Sequence, residues 1–124
     1  MSLIHRHRHT PYVLQITLNR PEVANALNTA LAVELRKAFE TVEGEVRVII
    51  LTGAGEKAFC AGADLKERQG MNEAAWEAQH AELRAVRDAM LSCPMPVIAA
   101  VNGAAFGGGL ELAMGCHYRV AAPG

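Results

Sequence analysis

Hydrophobic residues follow two different spacings along the chain, and the changes between them predict strands alternating with helices. Runs rich in apolar and β-branched residues predict strands at residues 12–18, 46–52, 96–101 and 118–122. Apolar residues recur at helical spacing from Leu31 to Val42, and again from Trp76 to Met90. This alternation favours parallel βαβ units and therefore an α/β fold.

The predicted helices carry recognisable start and stop signals. Asn28 and Asn72 are suitable N-cap residues, because an Asn side chain can accept a hydrogen bond from the first helical turn. Gly44 can end the first helix, and Pro94 and Pro96 stop the second. The predicted inner face of the second helix consists of Trp76, His80, Leu83, Val86 or Arg87, and Met90. A short third helix is expected from residues 107–109 to near Gly115.

The bulk composition restricts the classes of protein to be considered. The 124 residues are 51% hydrophobic and 20% charged, which is typical of one globular domain. A net charge of −1 and an aromatic content of 5% argue against nucleic-acid binding. The longest apolar run, residues 97–101, is too short to span a membrane. Three widely spaced cysteines predict neither a zinc site nor disulfides, and we expect a reducing, cytoplasmic location.

The first ten residues alternate histidine with arginine. In a strand, His5, His7 and His9 would share one face and could bind a metal ion. Because no acidic or Cys ligand lies nearby in the sequence, we favour an exposed basic arm and expect no metal site.

Two glycine-containing loops are the candidate sites of chemistry. Residues 59–66 and residues 102–111 each follow a predicted strand. In parallel α/β folds, loops at the carboxyl ends of strands line the ligand crevice. Residues 107–109 precede a helix, so their N–H groups can face an anion or a developing oxyanion.

Simpler interpretations exist for each of these features. A Gly triplet before a helix often serves only tight packing. Glu111 lies in the first helical turn, where the helix dipole favours any carboxylate. Cys60 lacks an identifiable base, so a small buried thiol is the preferred interpretation. The pairing of two glycine loops with an acid just beyond the second one favours function.

Five motifs in order resemble those of the enoyl-CoA hydratase/isomerase (crotonase) family. They are residues 19–21, 25–28, 59–66, 96–103 and 107–113. The resemblance implies an α/β crotonase (ClpP-like) spiral of ββα units, truncated at the carboxyl end. Residues 1–124 would then be the amino-terminal part of a crotonase-like domain.

The resemblance also implies a set of site residues. The backbone N–H groups of Ala63 and Gly108 would form an oxyanion hole for the carbonyl of a coenzyme A thioester, and Glu111 would hold and activate the added water. Residues expected along the CoA channel and beside the thioester are Ala24, Ala26, Ala61, Ala63, Asp64, Leu65, Lys66, Gly107 and Gly108. CoA is part of the substrate, so no separate cofactor is expected. The resemblance also implies a homo-oligomer, a trimer or hexamer, for the full-length protein.

Three reactions or roles stay open. An acid at position 111 favours hydration of a 2-enoyl-CoA over Δ3–Δ2 isomerisation or hydrolysis. A non-catalytic acyl-CoA-binding role is the third alternative. The run from Gly62 to Arg68 is similar to that of methylglutaconyl-CoA hydratases.

Two departures from the family pattern stand out. His117 occupies a position where the family usually has Asp, and we expect it to be structural. Hydratases of the family carry a second glutamate on a segment beyond the point where this chain stops, at Gly124. The chain is therefore expected to be a fragment, or else to lack the second acid.

Overall fold

The computed structural model of the chain describes residues 2–121, which form two sheets and four α-helices. The main sheet has five strands: β1 (Ile4–Thr10), β2 (Val13–Leu18), β3 (Val48–Gly53), β5 (Val97–Val101) and β7 (Tyr118–Ala121). Two short strands, β4 (Ala58–Cys60) and β6 (Ala104–Ala105), form a separate parallel pair. A 3-10 helix covers Pro21–Val23.

The main sheet confirms the predicted parallel arrangement. Its strand order is β1-β2-β3-β5-β7, and the pairs β2/β3, β3/β5 and β5/β7 are all parallel. The four predicted strands correspond to β2, β3, β5 and β7. Residue 122, predicted to end the last strand, lies outside the described residues.

The amino-terminal segment corrects one prediction. The expected basic arm is strand β1, which pairs antiparallel with β2 at the edge of the sheet. Its residues after Ile4 are exposed, as expected. Pairing satisfies the backbone groups along the outer side of β2, and charged side chains are tolerated on an edge strand. The rings of His7 and His9 meet edge to face, 4.6 Å apart, but within residues 2–121 no third metal ligand joins them.

The four α-helices are α1 (Thr29–Glu40), α2 (Leu65–Arg68), α3 (Glu73–Ser92) and α4 (Gly108–Met114). Both predicted Asn caps are confirmed. Oδ1 of Asn28 accepts from the Leu31 N–H at 2.8 Å, and Oδ1 of Asn72 accepts from the Ala75 N–H at 2.8 Å. Helix α2 was not predicted, because it forms only one turn and its sequence shows no hydrophobic periodicity.

The predicted inner face of α3 is partly wrong. Val86 and Met90 are buried, but Trp76 is 44% exposed and packs against the His80 ring, with 3.8 Å between the ring centroids. The inner face was predicted to include either Val86 or Arg87. Because Arg87 is exposed, Val86 is the residue on that face. The buried residue in the first half of α3 is instead Gln79.

The core lies between the main sheet and the helices. Its largest fully buried apolar side chains are Ile16, Leu18, Leu31, Leu35, Ile49, Leu51, Phe59, Met90 and Val97. Within residues 2–121, no helix is long and apolar enough to cross a lipid bilayer.

Candidate functional site

The pairing of β4 with β6 brings the two glycine-containing loops together. Ala58 lies opposite Ala104 and Cys60 opposite Ala105, so the segments that follow these parallel strands emerge side by side. The Phe106 N–H donates to the Cys60 carbonyl at 3.2 Å. The loop of residues 61–64 therefore lies directly against the start of α4.

Glycine is required where these loops meet. Gly62 has φ +95°, and a Cβ there would stand 2.8 Å from the Phe106 oxygen and 3.2 Å from the Gly108 nitrogen. A Cβ on Gly108 would stand 3.8 Å from the Ala63 nitrogen. The Ala63 and Gly108 amides are thus close neighbours.

Both amides are left open by the local hydrogen bonding. Ala63 forms an isolated parallel bridge with Leu27, in which the Leu27 N–H donates to the Gly62 oxygen and the Asp64 N–H donates to the Leu27 oxygen. Those bonds use the neighbours of Ala63 and not its own N–H. Gly108 is the first residue of α4, where an N–H has no partner inside the helix. Among residues 2–121, neither N–H has an acceptor.

A cavity of about 280 Å³ opens beside these two amides. Helix α3 forms one wall and α4 another. Its lining includes the apolar side chains of Leu27, Leu83, Val86, Met90 and Leu112, together with Ala63, Gly107, Gly108 and Glu111. The predicted catalytic residues therefore border a single space.

Glu111 projects from the first turn of α4. Its N–H donates to the Gly107 oxygen at 3.0 Å, and its carboxylate is 72% exposed. The nearest cation is Arg87, whose Nη2 lies 3.8 Å from Oε2 of Glu111. The carboxylate is therefore only loosely held and open to water and to the cavity.

The residues predicted for the CoA channel lie in two adjoining segments. The Ala61 N–H donates to the Ala24 oxygen at 3.0 Å, which places residues 61–64 along residues 24–27. Leu65 is 72% exposed, and Lys66 is also exposed. The side chain of Ala26 is buried in the core, so a ligand could meet only its backbone.

Asp64, which was predicted for the CoA channel, has a structural function in this fold. Its Oδ1 accepts from the Lys66 and Glu67 N–H groups at 3.0 and 3.2 Å, capping α2, and its Oδ2 lies 3.0 Å from Nη1 of Arg20. Burial disfavours the charged carboxylate, but the Glu67 N–H, the Arg20 guanidinium and the Lys66 N–H outweigh it together. They hold the pKa of Asp64 below its usual value.

Sequence reasoning missed a buried polar side chain within the first of the two segments predicted for the CoA channel, between Ala24 and Ala26. Asn25 is fully buried with φ +55°. Its Oδ1 accepts from the Arg20 N–H at 2.9 Å, and its Nδ2 donates to the Ala54 and Ala58 oxygens at 2.9 and 3.1 Å. This side chain fixes the turn that carries Ala24, and Asn is among the few residues that tolerate a left-handed backbone.

A second missed feature is a polar network joining three helices. The Glu67 carboxylate accepts from the Thr29 N–H at 2.8 Å, from the Thr29 hydroxyl at 2.9 Å and from the Gln79 amide. Oε1 of Gln79 accepts from Nε of Arg68 at 2.9 Å, and Arg68 lines the cavity. A lone Gln at a core-facing helical position is the only signal for this network in the sequence.

Cys60 is a buried structural thiol, as preferred from the sequence. Burial raises its pKa to about 11, and a hydrogen bond from the Gly62 backbone offsets only part of that effect. A thiol with such a pKa is a poor nucleophile near neutral pH.

Comparison with known proteins identifies the family. The family model described as enoyl-CoA hydratase/isomerase matches residues 8–123. The chain belongs to the enoyl-CoA hydratase/isomerase family. Its fold is the crotonase fold: it superposes on a crystal structure of enoyl-CoA hydratase from Bacillus anthracis with a TM-score of 0.94 and 48% identity, covering 97% of this chain and 47% of that one.

Other relatives agree with this assignment. A structure of enoyl-CoA hydratase from Mycobacterium smegmatis gives a TM-score of 0.92 at 39% identity, covering 98% of this chain and 48% of that one. The Bacillus subtilis relative YngF, whose name places it among the enoyl-CoA hydratases/isomerases, is 47% identical over 108 residues, which are 86% of this chain and 42% of YngF. The chain thus spans less than half the length of these relatives.

Proposed function

We propose that this chain supplies the thioester-activating part of an enoyl-CoA hydratase. The observation that carries the proposal is the pair of N–H groups, from Ala63 and Gly108, that have no acceptor within residues 2–121 and border one cavity. A thioester carbonyl oxygen placed between them accepts both hydrogen bonds. When water adds to the 2,3 double bond, negative charge moves onto that oxygen as the enolate forms, and the two fixed donors stabilise it there.

Glu111 is the proposed group that handles the water. Its carboxylate borders the same cavity as the two amides and is loosely held, so it can orient a water molecule and accept its proton. Hydration also requires a proton at the carbon next to the thioester carbonyl. The family supplies this proton through a second glutamate, and no second carboxylate lines the cavity within the described residues.

The CoA moiety is proposed to leave the site along residues 24–26 and 61–66. Support comes from the exposed position of Lys66 in the first turn of α2, where an ammonium group can meet a phosphate. No separate cofactor is proposed. Self-association, as a trimer or hexamer in the cytoplasm, is proposed from the family pattern, and exposed apolar side chains such as Phe106, Met114, Tyr118 and Val120 are compatible with it.

A second candidate function is acyl-CoA binding without turnover. It is favoured by the single carboxylate, that of Glu111, in the described lining of the cavity. Binding needs the two amides and the CoA segments but no second acid.

Hydration of crotonyl-CoA, followed through the loss of enoyl-thioester absorbance, tests the proposal. We expect Glu111→Ala to lower the rate by about 10²-fold or more while CoA-ester binding persists. Glu45→Ala removes an exposed carboxylate outside the cavity and serves as the matched control. Binding without turnover by the unsubstituted chain would support the second candidate, whereas absence of both binding and turnover would exclude both.

A further inference from the structure

The cavity has three guanidinium groups in its lining. Helix α3 contributes Arg84 and Arg87, which share one side of the helix at i, i+3 spacing, and Arg68 adds the third. Within the described residues, the only acidic side chain in the lining is that of Glu111. A cavity meant only for a hydrocarbon acyl chain has no need of these charges.

Among the residues that the structure describes, little of this positive charge is compensated. Among residues 2–121, no carboxylate lies within ion-pair distance of Arg68 or Arg84. One N–H of Arg68 donates to the neutral side-chain amide of Gln79. The distance from Nη2 of Arg87 to Oε2 of Glu111 is 3.8 Å, which is long for an ion pair. By contrast, Arg36 on the outer surface pairs with both Glu40 and Glu82. The guanidinium groups at the cavity therefore remain available to an anion.

The position of the cavity indicates which part of a CoA ester meets these charges. Of the residues expected along the CoA channel, Ala24, Ala26, Ala61 and residues 64–66 do not line the cavity. A thioester held by the Ala63 and Gly108 amides, with its CoA moiety along those segments, has its acyl group pointing towards α3. The arginines then face the acyl group and not the phosphates of CoA.

We propose that the acyl group taken by this cavity carries a carboxylate, bound by Arg84 and Arg87, with Arg68 strengthening the positive field. The inference rests on the acyl-CoA binding proposed above and specifies its substrate class. A guanidinium presents two parallel N–H groups that match the two oxygens of a carboxylate, and such charge-assisted pairs are stronger than neutral hydrogen bonds. The apolar floor formed by Leu83, Val86 and Met90 accommodates the carbons between the thioester and the carboxylate.

Calorimetric titration of the chain with glutaryl-CoA and pentanoyl-CoA tests this inference, because the two esters share their chain length and differ in the terminal carboxylate. We expect glutaryl-CoA to bind about tenfold more tightly or better. Arg84→Gln and Arg87→Gln should each remove most of that preference and leave pentanoyl-CoA affinity nearly unchanged. Lys37→Gln makes the same change in net charge on the exposed side of α1 and should preserve the preference.

A second arm separates the acyl carboxylate from the phosphates of CoA. The glutaryl and pentanoyl thioesters of N-acetylcysteamine lack those phosphates, and the preference for the carboxylate should persist with them. Equal binding of both CoA esters, or Arg84→Gln weakening both equally, would overturn the inference while leaving the thioester site intact. If neither ester binds, the proposed function fails together with it.

Discussion

Gly109 packs so closely on Cys60 that a Cβ on the glycine would stand 2.0 Å from the Cys60 carbonyl oxygen. No L side chain fits there without moving the backbone of β4 or of α4. The contact sets the distance between the two loops whose amides border the cavity.

Gly109→Ala should therefore destabilise the chain by about 3 kcal/mol, because the added Cβ would clash with the Cys60 backbone and force it to shift. Urea unfolding measures the change. Gly115→Ala is the matched control: its Cβ would lie 3.4 Å from the nearest atom, a carbonyl oxygen, in a right-handed backbone conformation. We expect that control to stay within about 1 kcal/mol of the unsubstituted chain. Equal stability of the two variants would contradict the described contact.

Gly108→Ala separates the chemistry of the site from its folding. The added Cβ would make only ordinary contacts, at 3.7 Å to the Gly62 Cα and 3.8 Å to the Ala63 nitrogen, but it would crowd the space in front of that nitrogen. Stability should change by less than about 1 kcal/mol. Crotonyl-CoA hydration should fall by about 10²-fold, comparable to the loss of one oxyanion donor. Full turnover by a folded Gly108→Ala variant would refute a site between these two amides.

The elements that could be predicted from the sequence are those with local signals. The strand runs and the Asn28 and Asn72 caps follow from periodicity and capping signals, whereas the pairing of Ala63 with Gly108 came from the resemblance to the family. The resemblance to the family added predicted site residues, such as Ala24, that no local sequence signal would identify.

What the sequence did not predict depends on contacts between distant segments. Strand β1 forms because β2 offers an open edge, which no property of residues 4–10 reveals. Gln79 is buried because Glu67 and Arg68, from another helix, form hydrogen bonds with its side-chain amide. Trp76 is exposed because it packs against His80 and not against the core. Helical spacing alone does not predict whether Trp76 or Gln79 is the residue buried in the core.

Asp64 should make stability depend on pH. Its pKa is lowered in the folded chain, so its contribution is fully present above the unfolded value of about 4 and is lost as the pH falls through the folded pKa. Asp64→Asn keeps an oxygen that can cap α2 but loses the ion pair with Arg20. The difference in unfolding free energy between the unsubstituted chain and Asp64→Asn, the stability gap, should thus be constant from pH 7 to pH 5 and should narrow below about pH 4. Unfolding free energies measured across this range would contradict the assignment if the gap failed to narrow in acid.

His117 joins the end of α4 to the start of β5 through two hydrogen bonds, and its side chain should contribute to stability. The Val97 N–H donates to Nδ1 of His117 at 3.0 Å, and the His117 N–H donates to the Val97 oxygen at 2.9 Å. His117→Ala leaves the N–H of the buried Val97 without its acceptor, which should cost about 1–3 kcal/mol. His117→Asp restores an acceptor, and Asp is the residue usual in the family at this position. Urea unfolding at neutral pH should therefore show that this variant regains most of the stability lost in His117→Ala. If His117→Asp is as unstable as His117→Ala, the hydrogen bond to Val97 is not what the side chain contributes.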